Sequence, residues 1–457
     1  MFCWRAPVAN ASAMYVLDNP VFRWIWAHVW YFVGFYCLLP VLAYVVLPFF
    51  ATKKVHKTRP TVSVMVLGDL GHLPRMCYHA RSLSKLGHFV NLCGYVELEP
   101  FEFVVDDPYI DIHEIMPIRN VHGLPFALFA AEKLVLQLVR LFKMLLELGD
   151  LDYYLIQNPP LIPLVLLVVA YIKLLNRNAK LVIDWHNLNW SILNLRYQND
   201  QHWAVKLLKL YEKWVVAKQS DLHLCVTKLM KKVLIDDFQI PKNRIHVVYD
   251  RPAEQINPLE DPKAMRAKLF EKYRIDAPEN SKLVVLLTSF TPDEDFNVLL
   301  DALEKLPEDV GPLVVVVTGK GPLKQQFLLR VRDLKFDPKR LVVTLVWLQA
   351  EDYPLMIASA DLGVSLHTSL SGVDLPMKIL DMFGGGVPVV SVDFPAISEL
   401  VIHEKNGLVT LPQAMHLALA RALTDDQLYH DIKLGAIAES KRKWDANWKP
   451  TCIPIFT

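Results

Sequence analysis

In the second half of the chain an apolar run, VVVVT, passes directly into Gly319, Lys320, Gly321 and Pro322. Glycines let a backbone approach a phosphate closely, and a lysine beside them supplies a compact positive charge. A second run, LHTSLSGVDLPMKILDMFGGGVPVV at 366–390, concentrates more chemistry. His367, Thr368, Ser369, Ser371 and Gly372 would present hydroxyls or bare N–H groups at a strand end. Asp374 and Pro376 then open a helix, whose free N–H groups and positive dipole end would meet a diphosphate. Lys378 and Asp381 are three apart and share a helix face, suited to a phosphate and a ribose hydroxyl pair. An ordinary surface ion pair satisfies the same spacing. Gly384, Gly385 and Gly386, packing tightly into the next strand, favour the ligand reading.

Such an anion needs a local site, because the formal charges nearly cancel: 49 Lys+Arg against 48 Asp+Glu, net +1. A nucleic-acid binder carries a basic excess that this chain lacks. With 53% hydrophobic and 21% charged residues, intrinsic disorder is excluded too. The six cysteines (Cys3, Cys37, Cys77, Cys93, Cys225 and Cys452) lie far apart without a CxxC pair, which reads as reduced thiols rather than a disulfide or zinc framework.

The elements that must position these loops alternate in type. Val62–Leu67 reads as a buried strand, followed by GDLGHL and a helix from Pro74 to Leu86, with Gly87 at its C-cap. Strand-like runs follow at 89–95, 152–156, 180–184, 222–226 and 244–248. After a proline-rich linker at 249–262 a second series occupies 283–288, 313–318, 341–346, 361–366 and 387–391. Apolar strands without alternation, separated by helices, predict parallel sheets covered on both faces. The fold class is α/β: two Rossmann-like domains facing a cleft, with ligands at the carboxyl ends of the strands. No GxGxxG follows a strand, which argues against a nicotinamide dinucleotide.

Ahead of these domains, Trp24–Phe50 carries one ionisable side chain, His28, over a length sufficient for a bilayer span. Trp24, Trp26, Trp30, Tyr31 and Tyr36 crowd one end, and Lys53, Lys54, Lys57 and Arg59 follow the other. The positive-inside rule then predicts a signal-anchor with the domains in the cytosol. Leu161–Leu175 is too short for a confident span, and Leu124–Leu148 has the spacing of a helix packed on a sheet or resting on a membrane surface.

With these residues in view, the region 60–450 resembles the β-1,4-mannosyltransferases of dolichol-linked oligosaccharide assembly, the chitobiosyldiphosphodolichol β-mannosyltransferase family. The resemblance rests on GDLGHLPRM with His79, QNPP at 157–160, DWHN at 184–187, YDRP at 249–252 and TPDEDF at 291–296. It continues through GKGP at 319–322, the HTSLSGVDLPMKILDMFGGGVPV run, HEKNGLV at 403–409 and the Trp444–Trp448 pair. It implies a GT-B inverting glycosyltransferase that moves mannose from GDP-mannose to dolichyl-diphosphate-N,N′-diacetylchitobiose, on the endoplasmic reticulum membrane. Other enzymes of lipid-linked oligosaccharide assembly are its expected partners, and no metal or other cofactor is expected.

Hydropathy and the resemblance together apportion the chain: a luminal segment 1–23, the transmembrane anchor 24–50, an acceptor-binding domain 60–255, a nucleotide-sugar-binding domain 263–425 and a helical tail 426–457. Lys320, Gly321, Ser371, Gly372, Lys378 and Asp381 would form the donor site. Glu399 would contact the ribose or stand as an exposed helix-start glutamate, and Asp374 would touch the sugar or cap its helix. Gly71, Arg75, His79 and Asn187 fall on the acceptor side, Arg75 placed for the lipid diphosphate and His79 equally readable as a packed histidine. Single displacement needs a base for the acceptor hydroxyl, and Asp69 and His186 are the candidates. Asp293, Glu294 and Asp295 read as helix-start acids rather than a metal site. Leu73, Phe290 and the Leu188–Trp190 loop depart from the family pattern, mostly on the acceptor side. Two alternatives remain at this level: another nucleotide-sugar transferase acting on a lipid diphosphate, and a catalytically silent membrane-tethered scaffold of a glycosylation complex.

Overall fold

The computed structural model describes residues 59–457 apart from Leu161 and Leu370, together with Trp24, His28, Val29, Tyr31, Val33, Gly34, Phe35, Tyr36 and Leu38. Residues 59–169 and 179–457 pack as one unit. The described positions between Trp24 and Leu38 are helical, with Trp24, Tyr31 and Phe35 exposed. Most of the expected span at 24–50, and all of 1–23, lie outside the described residues. Among the described residues no helix is long and apolar enough to cross a membrane.

The first lobe runs β1 (Thr61–Asp69), α1 (Pro74–Lys85), β2 (Phe89–Tyr95), α2 (Glu102–Val105), β3 (Ile110–Glu114), α3 (Phe126–Leu148), β4 (Tyr153–Asn158), α4 (Leu164–Leu174) and β5 (Lys180–Trp185). It continues with α5 (Asn189–Tyr197), α6 (Trp203–Tyr211), a π-helical turn (Glu212–Ala217), β6 (Leu222–Cys225), α7 (Lys228–Asp236) and β7 (Ile245–Val247). All pairings are parallel, in the order β3-β2-β1-β4-β5-β6-β7. The strands form because their residues are apolar on both faces: Val62, Val64, Met65 and Val66 of β1 are fully buried. α1 begins with proline at its first turn and ends where Gly87 takes φ +89°.

The second lobe runs α8 (Pro262–Tyr273), β8 (Lys282–Leu287), α9 (Asn297–Glu304), β9 (Leu313–Thr318), α10 (Lys324–Leu334), β10 (Leu341–Leu345), α11 (Asp352–Ala358) and β11 (Leu362–Ser365). Then come α12 (Met377–Gly384), β12 (Val389–Val392), β13 (Gly407–Thr410), α13 (Met415–Thr424), α14 (Asp426–Ser440) and α15 (Trp444–Phe456). Its parallel sheet has the order β10-β9-β8-β11-β12-β13. Both orders reverse direction after the first strand of their lobe, and crevices open at such switch points.

Two strands were not anticipated, β3 and β13, and both are sheet edges. Edge strands are half-buried and short, so they lack the solid apolar run by which the inner strands announce themselves. The tail is also not peripheral. α15 returns to the first lobe and places Trp444, Trp448, Cys452, Ile455 and Phe456 in the core beneath β1, β2 and α1.

Candidate functional site

Parallel strands put every strand-end loop of a lobe on one side, and the two lobes meet through those loops. Asn187, just past β5, lies with its Oδ1 3.1 Å from the Ser371 hydroxyl past β11. Thr227, at the end of β6, donates to the Val373 carbonyl at 2.6 Å. A cleft of about 560 Å³ opens beside this contact, lined by Trp190, Ser191 and Asn194 from the first lobe and Thr291, Asp293 and Thr368 from the second.

On the second lobe the GKG loop lies hard against the end of β8. A Cβ on Gly319 would meet the Thr288 carbonyl oxygen at 1.7 Å, and one on Gly321 the Ser289 oxygen at 1.8 Å. No side chain fits at either position. Phe290, fully buried, turns the chain just past β8 with φ +47°, an unusual conformation for an aromatic residue. Lys320 stays exposed, its ammonium 3.9 Å from the Trp347 ring centroid.

Next to it the TPDEDF turn departs from a plain helix start. Asp295 accepts from the Asn297 N–H at 3.0 Å, as a helix-start acid does. Glu294 instead points inward at 3% exposure, accepting from Thr288 Oγ1 at 2.8 Å and the Ser289 N–H at 2.6 Å, and pairs with Lys378. Asp293 Oδ2 lies 3.3 Å from His367 Nδ1, and Asp374 Oδ2 lies 3.6 Å from His367 Nε2. Burial works against a charged imidazole here, but the two aspartates outweigh it and push His367 up to about 9. The His367 hydrogen bond holds Asp293 down at about 2. Among the described residues no group of three His, Cys, Asp or Glu is placed to hold a metal ion.

Ser371 Oγ lies 3.0 Å from Asp374 Oδ1, and Ser369 Oγ donates to the same oxygen. Gly372 takes φ +69°, and its N–H donates to Ser369 Oγ at 2.9 Å. Asp374 therefore braces this loop and pairs with His367; it does not cap α12, whose N-cap is Pro376 without a side-chain bond. Lys378 and Asp381 do not pair with one another. Asp381 accepts from the Tyr353 hydroxyl at 2.8 Å, and burial raises its carboxyl to about 6.

On the first lobe the charged residues are more deeply engaged. Arg75 is 3% exposed and gives Nε and Nη2 to Asp184, both at 2.7 Å, and Nη1 to Asp250 at 2.6 Å and the Val248 carbonyl at 3.0 Å. The expectation that it meets a lipid diphosphate is corrected: its donors are satisfied inside the lobe. His79, also expected on the acceptor side, is fully buried, accepts from Trp448 Nε1 at 2.9 Å and contacts Asp184 at 3.3 Å. Burial lowers its pKa, so it is a neutral core histidine tying α15 to α1. Gly71 packs its α-carbon against the 98–99 loop, where a Cβ would meet Leu98 Cβ at 2.7 Å.

Asp69 Oδ1 accepts from the Glu97 and Leu98 N–H groups at 2.9 and 3.2 Å, and Oδ2 lies 2.6 Å from His72 Nδ1. Burial opposes the charge, yet these bonds lower its pKa. His186 lies at the end of β5, 28% exposed, with Nε2 3.4 Å from Asp250 Oδ2. Burial would lower its pKa, but Asp250 outweighs it and the net shift is upward. Glu399 is corrected as well. Its carboxylate accepts from the Lys228 and Leu229 N–H groups at 2.7 and 2.8 Å and from Tyr249 Oη at 2.7 Å, capping α7 across the lobe contact rather than standing free for a ribose.

Comparison with known proteins matches residues 75–250 to the model described as Glycosyltransferase Family 4 and residues 268–438 to Glycosyl transferases group 1. A chitobiosyldiphosphodolichol beta-mannosyltransferase of Candida albicans is 50% identical over 446 residues, covering 94% of this chain and 97% of that protein. The protein of that name from Debaryomyces hansenii is 47% identical, covering 94% of each. The chain belongs to the chitobiosyldiphosphodolichol β-mannosyltransferase family. In fold, it is similar to sucrose-phosphate synthase from Thermosynechococcus elongatus, with TM-score 0.63 and 15% identity over 87% of this chain and 97% of that one. Its two sheets are those of GT-B glycosyltransferases, as the resemblance implied.

In this member of the mannosyltransferase family two residues that organise the site, Asp250 and Glu212, were not singled out from sequence, and a third, Glu294, was read only as a helix-start acid. Asp250 stands in YDRP and Glu294 in TPDEDF, so a polar residue inside a short proline turn was the available signal. Glu212 gave none: it sits in an ordinary helical stretch, yet accepts from Asn158 Nδ2 and the Asn189 N–H, both at 2.9 Å, fixing the loop that carries His186 and Asn187.

Proposed function

We propose that this glycosyltransferase transfers mannose, with inversion, from GDP-mannose to dolichyl-diphosphate-N,N′-diacetylchitobiose. The observation that carries the reading is the contact of Asn187 with Ser371, which joins the two strand-end loops at a cleft in a chain of this family. The donor diphosphate lies against the GKG backbone and the Ser371–Gly372 loop, with Lys320 and Lys378 supplying charge. Glu294 holds Lys378 in place until a phosphate competes for it.

The acceptor hydroxyl oxygen attacks the anomeric carbon, the bond from that carbon to the diphosphate oxygen breaks, and GDP leaves with the electron pair. The hydroxyl proton goes to His186. Asp250 Oδ2, 3.4 Å from Nε2, favours the ring proton on that nitrogen and thereby leaves Nδ1 as the basic atom, a tautomer of the kind proton transfer needs. Asp69 is the weaker base, since three hydrogen bonds already stabilise its charge. His367, charged and flanked by Asp293 and Asp374, stands beside the cleft where a sugar hydroxyl can be oriented. No metal or further cofactor is required. Residues 24–50 anchor the chain in the endoplasmic reticulum membrane with the lobes in the cytosol, a reading supported by the hydropathy of that stretch and by Lys53, Lys54, Lys57 and Arg59 after it.

Incubation with GDP-mannose and phytanyl-diphosphate chitobiose, with the linkage read by NMR, is expected to give one β-1,4-mannose per acceptor. Thermal protection by GDP and not by UDP is expected in parallel. Protection by UDP alone would assign a different donor.

A further inference from the structure

The helices between β5 and β6 carry an outward face that the catalytic reading does not use. On α6 and the π-turn that continues it, Trp203, Leu207, Leu210 and Trp214 are 71%, 59%, 53% and 53% exposed. Steps of four, three and four residues place them in one stripe. Three lysines share this stretch, Lys206, Lys209 and Lys213, and Lys218 follows directly, while its acid, Glu212, is fully buried. From outside the stretch, Asp237 reaches Lys209 at 3.4 Å, a pair nearly half exposed at both ends and weak for that reason. The exposed charge of the stripe is therefore positive. Tryptophans at both ends, leucines between and lysines alongside are the composition of a helix lying in a lipid interface, with anionic headgroups completing the charge.

Its place in the fold gives this face a use. Trp190, Ser191 and Asn194 of α5 line the cleft, while Ile192 and Tyr197 of the same helix are 43% and 38% exposed. Lys209 of α6 sits over the Trp190 ring, 4.8 Å from its centroid. Glu212 locks the π-turn to the start of α5, so stripe and cleft loop are one rigid piece. Right-handed crossovers also put α3 on the same side of the sheet, and there Leu128, Val135 and Val139 are 60%, 59% and 61% exposed.

From this we infer that the outward face of α5 and α6 rests on an anionic lipid bilayer, a membrane contact separate from residues 24–50, which holds the mouth of the cleft at the lipid surface. The inference does not depend on which nucleotide sugar is the donor.

The full chain carrying Leu207→Cys, labelled with an environment-sensitive fluorophore, is reconstituted into phosphatidylcholine vesicles with and without phosphatidylserine. Leu417→Cys, at a position 59% exposed on the second lobe, serves as control, and the unsubstituted chain corrects for native cysteines. The label at 207 is expected to shift to the blue and be quenched by nitroxide-bearing lipids, more so with phosphatidylserine, while the label at 417 does neither. Lys206→Glu with Lys213→Glu is expected to reduce the quenching at 207 several-fold. Equal behaviour at 207 and 417 overturns the inference. A blue shift at 207 without quenching by lipid also overturns it, because protein would then cover the face.

Discussion

Two charged clusters, one in each lobe, differ in how their charges are satisfied. In the first lobe the side chains of Arg75, Asp184 and Asp250 are 3%, 0% and 5% exposed, and the guanidinium is consumed by two carboxylates and a carbonyl. In the second lobe Lys378, His367, Asp293 and Asp374 are 26%, 19%, 21% and 13% exposed, and each has a protein partner that a ligand group can replace. The residue types are nearly the same. What separates scaffold from site is whether water, and hence substrate, reaches the charge once its partners are counted.

Breaking the first cluster should therefore cost stability before it costs chemistry. Arg75→Met leaves Asp184 and Asp250 buried without their cation, a loss of about 3–5 kcal/mol for a broken buried pair. Denaturant unfolding of the variant is the measurement, and a loss below about 1 kcal/mol would mean these carboxylates are not held by Arg75. Breaking the second cluster should do the reverse. Lys378→Ala is expected to lower turnover by about 2–4 kcal/mol of lost leaving-group stabilisation, on the scale of a removed oxyanion donor. Circular dichroism should show the fold retained, and turnover unchanged within a few fold would remove Lys378 from the donor site.

The pH dependence sharpens the contrast. His367 titrates at about 9 in the folded chain, above the ordinary histidine value. Its contribution to stability is thus complete below about pH 6.5 and is lost as pH rises toward 9, by at most about 3 kcal/mol and less to the extent that water screens it. His367→Gln should flatten that decline between wild type and variant unfolding curves. Curves that remain parallel across this window would show that His367 is not charged between its two aspartates.

Much of this was legible beforehand for a physical reason. Inner strands such as β9, six residues all buried, must be apolar throughout, so their sequence reveals them. The strand-end loops are legible because backbone contact excludes side chains, as at Gly319 and Gly321. Side-chain pairing is different. Nothing local tells that Arg75 reaches residues 109 and 175 positions away, or that Glu399 caps a helix 171 positions back. Such charges looked free in sequence because their partners are brought to them only by the fold. His79 was hidden in the same way by Trp448, 369 residues later.

The smallest expected effect tests the contact between the lobes. Ser371 Oγ touches both Asp374 and Asn187, so one hydroxyl serves the second-lobe loop and the bridge to the first. Ser371→Ala removes the bridge but leaves the Ser369 bond to Asp374 in place. A single neutral hydrogen bond is worth about 1 kcal/mol, so catalytic efficiency should fall by roughly five- to tenfold while the melting temperature scarcely moves. The partition of that loss is informative. If Ser371 chiefly holds the lobes together, Asn187→Ala should cost a similar amount and the double variant little more, since both remove one contact. If the two losses add, each residue contacts substrate on its own, and the bridge seen between the lobes is incidental to turnover.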